Sequence, residues 1–354
     1  MNETARNVRT DEPVEGSYFV AAYPPFSCWQ KESQEEVTRR LRKGKGYGPL
    51  GIYVHIPFCD IRCIYCYYLS YAKTPSDLID RYVDALLKEL EIYLEEGYFS
   101  EAELDFLYFG GGTPSFLSEC QIRRLTSGLS EKLDFGSLRE FSFECAPRSA
   151  TDEKIQILRE SGVSRISLGV QQLNDRVLEQ NGRVHRTKDV ECAYERIRAA
   201  EFDTVNIDLI VGLVGEDDKS FFESLQKAIQ MQPDSITIYQ LEVPLNTPLY
   251  GVLDSKIPRT KLAPWDVKRR RLKAGFSMLE SAGYDVRSAY TATRTSGEFV
   301  YQDAQYRGAD LLGIGASAFS YIDGMHFQSL ASMQPFIECV EKGELPIYRG
   351  YFLN

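Results

Sequence analysis

From Gly48 onward, short apolar runs alternate with amphipathic stretches, and that alternation predicts the elements of the chain. Gly51 to Ile56, Leu104 to Phe109, Phe141 to Cys145, Arg165 to Val170, Thr204 to Ile210 and Ser235 to Tyr239 are short and rich in β-branched and aromatic residues, which predicts six strands. Between the first two, Asp77 to Glu96 puts Leu78, Tyr82, Leu86, Leu87, Leu90 and Leu94 on one face of a long helix. Glu119 to Lys132, Asp152 to Ser161, Lys188 to Ala200 and Lys219 to Gln230 supply the helices between the others. Strand and helix in regular succession predict an α/β fold, a partial (β/α)6 barrel of the TIM type. The boundaries expected are residues 1–47 as an N-terminal tail and strap, 48–260 as the barrel and 261–354 as a small C-terminal α+β extension.

The flanks of the barrel carry their own patterns. Residues 1–16 are polar and acidic without periodicity and are expected to be disordered. Ser17 to Trp29 is aromatic and holds Pro24 and Pro25, so it cannot be a helix interior and is expected to strap across the core. Pro264 to Ser281 has Trp265, Leu272, Phe276 and Leu279 on an apolar side, and its basic run Lys268 to Arg271 reads as the solvated face of that helix.

Composition narrows the class of partner. The 354 residues hold 41 Lys and Arg against 51 Asp and Glu, a formal net charge of -10, which argues against a nucleic-acid backbone as the main ligand. No apolar run approaches a membrane span and no leader is recognisable, so a cytoplasmic protein without a membrane partner is expected, acting as a monomer. His55 and His326 are two of only three histidines and are expected to be structural.

The chemistry is concentrated after the first strand, where Cys59, Cys63 and Cys66 stand in a C-x3-C-x2-C loop. Three thiols so close are of little use as a disulfide framework and point to a metal. A structural zinc would take a fourth protein ligand, and none is near; a zinc loop or a chance spacing remains the simpler alternative. A four-iron four-sulfur cluster held by three thiolates, with one iron open, fits the count. The ends of the later strands carry Gly110-Gly-Gly-Thr-Pro114, Glu144, Gln171 and Asp208, with Arg183 just beyond. In a barrel of this type, chemistry belongs at those ends.

The cysteine spacing, with Tyr65 before the third cysteine, resembles the radical S-adenosylmethionine superfamily. Tyr53-Val-His-Ile-Pro-Phe-Cys59, Gly110-Gly-Gly-Thr-Pro114, Ser167-Leu-Gly-Val-Gln171 and Asp208-Leu-Ile-Val-Gly212 are similar in order and spacing to the oxygen-independent coproporphyrinogen oxidase group. The resemblance implies a [4Fe-4S] cluster on Cys59, Cys63 and Cys66. It implies S-adenosylmethionine held by Tyr53, Gly111, Gly112, Glu144, Gln171, Arg183 and Asp208, with Tyr65 and Thr113 toward a second S-adenosylmethionine. It also implies a low-potential electron donor such as flavodoxin or ferredoxin, and a small unsaturated or aromatic substrate.

Three outcomes lie within that resemblance. One-carbon transfer onto an unsaturated carbon, in the manner of the class C methylases and cyclopropanases, is favoured by the Gly315-Ala-Ser-Ala-Phe319 run. Oxidative decarboxylation of a porphyrinogen is the second, weakened because Tyr68 stands where many of those oxidases carry a further cysteine. A non-enzymatic haem chaperone is the third. Tyr306 to Tyr321 is expected to close one side of the substrate cavity. Gly343 to Gly350 resembles the hinge before the group's helical domain, which is expected to be absent or truncated.

Overall fold

The computed structural model describes residues 26–43, 48–99, 103–253, 262–294 and 297–353. All six expected strands form: β1 (Pro49–Ile56), β2 (Glu103–Gly111), β3 (Glu140–Cys145), β4 (Arg165–Gln171), β5 (Thr204–Val211) and β6 (Ser235–Gln240). They lie side by side in chain order and parallel throughout. The remaining strands of the same sheet are β7 (Asp285–Val286), β8 (Thr291–Thr293), β9 (Asp310–Ile314), β10 (Phe319–Ile322), β11 (Met325–Ser329) and β12 (Ile347–Phe352), and Phe58–Cys59 pairs separately with Tyr71–Ala72. The order across the sheet is β12-β11-β10-β9-β1-β2-β3-β4-β5-β6-β8-β7, so β1 and β6 do not pair with each other and the barrel is an open arc.

The helices are α1 (Gln34–Lys43), α2 (Ser76–Leu94), α3 (Glu119–Ser130), α4 (Asp152–Glu160), α5 (Asp175–Gln180), α6 (Thr187–Ala199), α7 (Asp218–Met231), α8 (Pro248–Leu253), α9 (Trp265–Ser281), α10 (Val300–Tyr306) and α11 (Met333–Glu341). Their starts follow from the sequence. Ser118 and Gln121 form a reciprocal capping box at α3, Thr151 caps α4, and Asp217 pairs with Ser220 at α7, so donors that a helix start leaves orphaned are met by side chains. None of the described helices is long and apolar enough to cross a membrane.

Strand periodicity sorts the side chains. On β1, Ile52, Val54 and Ile56 are fully buried in the main apolar core, while Tyr53 and His55 point the other way, into the lumen. The lumen side of the later strands is polar: Asn206 donates to Ser167, and Ser235 and Thr237 both donate to Asn206. At its lower end the lumen is plugged. Arg165, 1% exposed, donates to the Glu298 carbonyl and to Ser235, and its guanidinium lies 4.2 Å from the Phe299 ring centroid. Glu140 accepts the Val300 amide. The two charged residues thereby anchor α10, whose Tyr301 stacks on Tyr108 at 4.5 Å.

The reading of the basic run is corrected. Lys268 and Arg271 are buried rather than solvated: Lys268 Nζ donates to the Leu241 carbonyl and lies 3.4 Å over Trp265, and Arg271 bridges Glu216 and Asp218. Helical pattern alone misassigned them, because α9 packs against α7 and the barrel over a wider face than its apolar residues mark. Gly343 to Gly350 leads into the edge strand β12, which begins at Ile347 and pairs with β11. Tyr306 to Tyr321 continues the sheet, as β9 runs parallel to β1. Ser17 to Pro25, the larger part of the expected strap, lies outside the described residues. Trp29 at its end is buried against Phe319 and His326.

Candidate functional site

β1 ends at Ile56, and the chain passes through Phe58 and Cys59, which pair with Tyr71 and Ala72, into the cysteine loop. Cys59 and Cys63 are buried and Cys66 is half-buried. Cys59 Sγ lies 3.5 Å from Thr113 Oγ1, and Cys63 Sγ accepts Arg183 Nη1 at 3.3 Å. The Cys66 amide donates to the Cys63 carbonyl at 3.2 Å, which folds the loop back on itself. Burial, followed by the Cys66 and Cys63 thiols, pushes the Cys59 thiol up to about 11, with Thr113 and Arg183 opposing. Among the described residues the sulfurs do not form a ready-made ligand cage, yet each lies within electrostatic reach of the others. Three thiols on one short loop, with a guanidinium at the second, are a donor set suited to a cluster held by three thiolates.

The glycine run of β2 is fixed by close approach. The Gly112 amide donates to the Ile56 carbonyl at 2.9 Å, and a Cβ there would stand 2.9 Å from the backbone oxygens of both Ile56 and Phe58. Gly111 has φ +110°, and a Cβ on it would meet the His55 ring at 2.5 Å. His55 is itself held by Tyr53, whose hydroxyl lies 3.0 Å from Nδ1.

Glu144 on β3 and Asp208 on β5 flank β4, with no cation bonded to either among the described residues. Tyr108 donates to Glu144 Oε1 at 2.7 Å, and burial still pushes the Glu144 carboxyl up to about 7. Asp208 accepts Ser167 Oγ at 2.7 Å and Asn206 Nδ2 at 2.9 Å, and burial raises it as well. Gln171 ends β4 with φ +66°, a left-handed conformation uncommon for a side chain of its size, at a register shift against β5. Arg183 donates Nη2 to the Gly169 carbonyl at 2.8 Å, while its Nε is sealed from solvent without an acceptor. Tyr65 is half-buried beside Cys63, and its hydroxyl is sealed from solvent. A cleft of about 280 Å³ opens beside these groups, lined by Cys63, Thr113, Arg148, Arg183 and His185 among others.

The expected residues thus fall into two neighbouring sets. Cys59, Cys63, Cys66, Tyr65, Thr113 and Arg183 surround the loop, and Tyr53, Gly111, Gly112, Glu144, Gln171 and Asp208 line the strand ends. Sequence reasoning missed their braces: Tyr108 on Glu144, Ser167 and Asn206 on Asp208, and His185, whose Nδ1 lies 3.3 Å from Arg183 Nη2. The available signal was polar residues at alternate positions of otherwise apolar strands.

A family model described as the Radical SAM superfamily matches residues 53–228. A haem chaperone of Bacillus subtilis (strain 168) is 31% identical over 293 residues, 82% of this chain and 76% of the relative. The anaerobic coproporphyrinogen III oxidase 1 of Cereibacter sphaeroides is 28% identical over 316 residues, 86% of this chain and 69% of the relative. Among solved structures, the coproporphyrinogen III oxidase of Escherichia coli superposes with a TM-score of 0.80 at 26% identity, covering 95% of this chain and 79% of that one.

Proposed function

Since the chain belongs to the radical S-adenosylmethionine superfamily, in its oxygen-independent coproporphyrinogen oxidase group, we propose that it oxidises a tetrapyrrole of the porphyrinogen type. The cofactors of that family are a [4Fe-4S] cluster and S-adenosylmethionine. A cluster held by Cys59, Cys63 and Cys66 would supply the electron for reductive cleavage of the sulfonium of S-adenosylmethionine. A low-potential donor, flavodoxin or ferredoxin, has to deliver that electron.

The residues divide the remaining work. Cys59, Cys63 and Cys66 hold the cluster, and Arg183 sets the charge at Cys63. Glu144, aimed by Tyr108, takes the ammonium group of S-adenosylmethionine, and the bare backbone of Gly111 and Gly112 lets it approach. Asp208, Gln171 and Tyr53 face the rest of that ligand from the strand ends. Tyr65 and Thr113 stand on the loop side, and the sealed Tyr65 hydroxyl is suited to a further ligand there.

The observation that carries the oxidase reading is the superposition on a coproporphyrinogen III oxidase over 95% of this chain. One-carbon transfer is not taken further. The relatives do not support it, and the small residues of Gly315 to Phe319 have a packing cause: a Cβ at Gly315 would stand 2.7 Å from the Tyr82 hydroxyl and 2.8 Å from the His55 carbonyl. A haem chaperone is the second reading, favoured by the 31% identity to such a protein and by Tyr68 in place of a further cysteine.

The test is anaerobic reconstitution followed by incubation with reductant, S-adenosylmethionine and coproporphyrinogen III. 5′-Deoxyadenosine with decarboxylated porphyrinogen supports the oxidase. Stoichiometric haem binding with neither product would replace it with the chaperone, and S-adenosylhomocysteine would restore one-carbon transfer.

A further inference from the structure

We infer that residues 244–253, which lead from β6 through α8, are a clamp that fixes the Cys63-to-Tyr67 half of the cysteine loop, with Asn246 and Leu249 as its positioning residues. The clamp deepens the cluster reading above, on which its role rests, and adds to it residues outside the three thiols.

The two halves of the loop are held differently. Cys59 belongs to a paired segment, where it stands opposite Ala72. From Cys63 to Tyr67 the chain makes one main-chain bond of its own among the described residues, from the Cys66 amide to the Cys63 carbonyl. Main-chain groups need partners, so this half has to find them on other segments. Ile64, between two of the cysteines, is gripped from both sides: its amide donates to the Asn181 carbonyl at 3.4 Å, and its carbonyl accepts the Leu249 amide at 2.8 Å. The Cys66 carbonyl accepts Arg62 Nη2 at 3.0 Å, and the Tyr67 carbonyl accepts Asn246 Nδ2 at 3.1 Å. Arg62 also donates to the Asn246 carbonyl at 3.3 Å, which ties loop and clamp together again.

Both sides of the grip are themselves fixed. Asn181 is fully buried, and its side chain donates to the Val177 and Val214 carbonyls and accepts the Val214 amide. On the other side, the Thr247 hydroxyl donates to the Pro244 carbonyl at 2.8 Å and accepts the Tyr250 amide at 3.2 Å, so it caps α8, with Pro248 in the first helical position. The turn that presents Asn246 to Tyr67 is therefore set before the helix begins. Leu249, 1% exposed, anchors α8 in a small apolar cluster with Val177, Leu213 and Leu241, against which Ile64 and Tyr65 pack. Loosening this clamp frees Cys63 and Cys66 and leaves Cys59 in its paired segment, a local opening rather than a global one. A cluster held by the three thiolates would then lose iron faster.

The test follows each cysteine separately. The full chain, freed of metal and kept reduced under argon, is alkylated with N-ethylmaleimide, and the rate at each cysteine is read by peptide mass. Asn246→Ala and Arg62→Gln alter exposed side chains and should fold. Each removes hydrogen bonds to the loop and should raise the rates at Cys63 and Cys66 about three- to tenfold, with Cys59 changed by less than about twofold. Leu249→Ala should raise the same two rates further. Arg271→Ala, which weakens the fold away from the loop, should leave the ratio of Cys66 to Cys59 as in wild type. In reconstituted protein, iron release to a chelator should speed up about three- to tenfold in the Asn246 and Arg62 variants. Rates at Cys63 and Cys66 that stay at the wild-type level in both variants, or that rise no more than the rate at Cys59, overturn the clamp and leave the cluster reading standing. The expected alkylation pattern in a chain that takes up no iron and sulfide supports the clamp and removes the cluster reading instead.

Discussion

Tyr108 donates its phenolic proton to Glu144 Oε1 across 2.7 Å, and the same ring stacks on Tyr301 of α10 at 4.5 Å. A residue of the C-terminal extension therefore steadies the hydroxyl that aims a carboxylate at the strand ends. Tyr108→Phe removes the bond and keeps the stack. A hydrogen bond to a charged group contributes about 1.5–3 kcal/mol, so affinity for S-adenosylmethionine should fall about 10- to 100-fold, as measured by equilibrium binding to the reconstituted protein.

The Glu144 carboxyl gives a signed pH dependence. Burial raises it from 4.5 to about 7, so the folded state holds its proton more tightly than the unfolded state does. Its contribution to stability is full below about 4.5 and declines as pH rises through 7. Glu144→Gln keeps an acceptor for Tyr108 and removes the titration. The Tm of this variant relative to wild type should rise as pH goes from 4.5 to 7.5; a flat difference would contradict the burial effect.

Arg271 and Glu216 form a buried ion pair, 7% and 0% exposed at their side chains, and Glu216 also accepts the Gly212 amide at 2.7 Å. Removing one partner of such a pair costs about 3–5 kcal/mol because the other charge is left uncompensated. Arg271→Ala should therefore lose about that much in denaturant unfolding. Adding Glu216→Gln should recover part of it.

Gly112 packs its α-carbon against two backbone oxygens at distances that a Cβ could reach only by moving β1 away from β2. Gly112→Ala should cost about 1–3 kcal/mol of stability. Because the displaced atoms lead directly into Cys59, iron and sulfide content after reconstitution should fall as well.

Cys59→Ala, Cys63→Ala and Cys66→Ala should each lose the brown absorbance, the stoichiometric iron and sulfide, and all cleavage of S-adenosylmethionine. The far-ultraviolet circular dichroism should stay close to wild type, since the sheet does not depend on the loop. Full cleavage in any of the three would refute the cluster assignment.

The sequence by itself determined the barrel and the chemistry at its mouth. Short apolar runs set all six parallel strands to within two residues, because parallel strands buried on both faces read as near-continuous apolar stretches bounded by turns. The C-x3-C-x2-C spacing and the glycine run were legible because both act through the local chain. Contacts between distant segments were not legible. Nothing in the run Lys268 to Arg271 announces that two of its charges turn inward to Leu241, Glu216 and Asp218, and nothing around residue 300 announces a plug anchored on Arg165 and Glu140. Whether a charge is solvated or buried depends on what the tertiary fold lays over it.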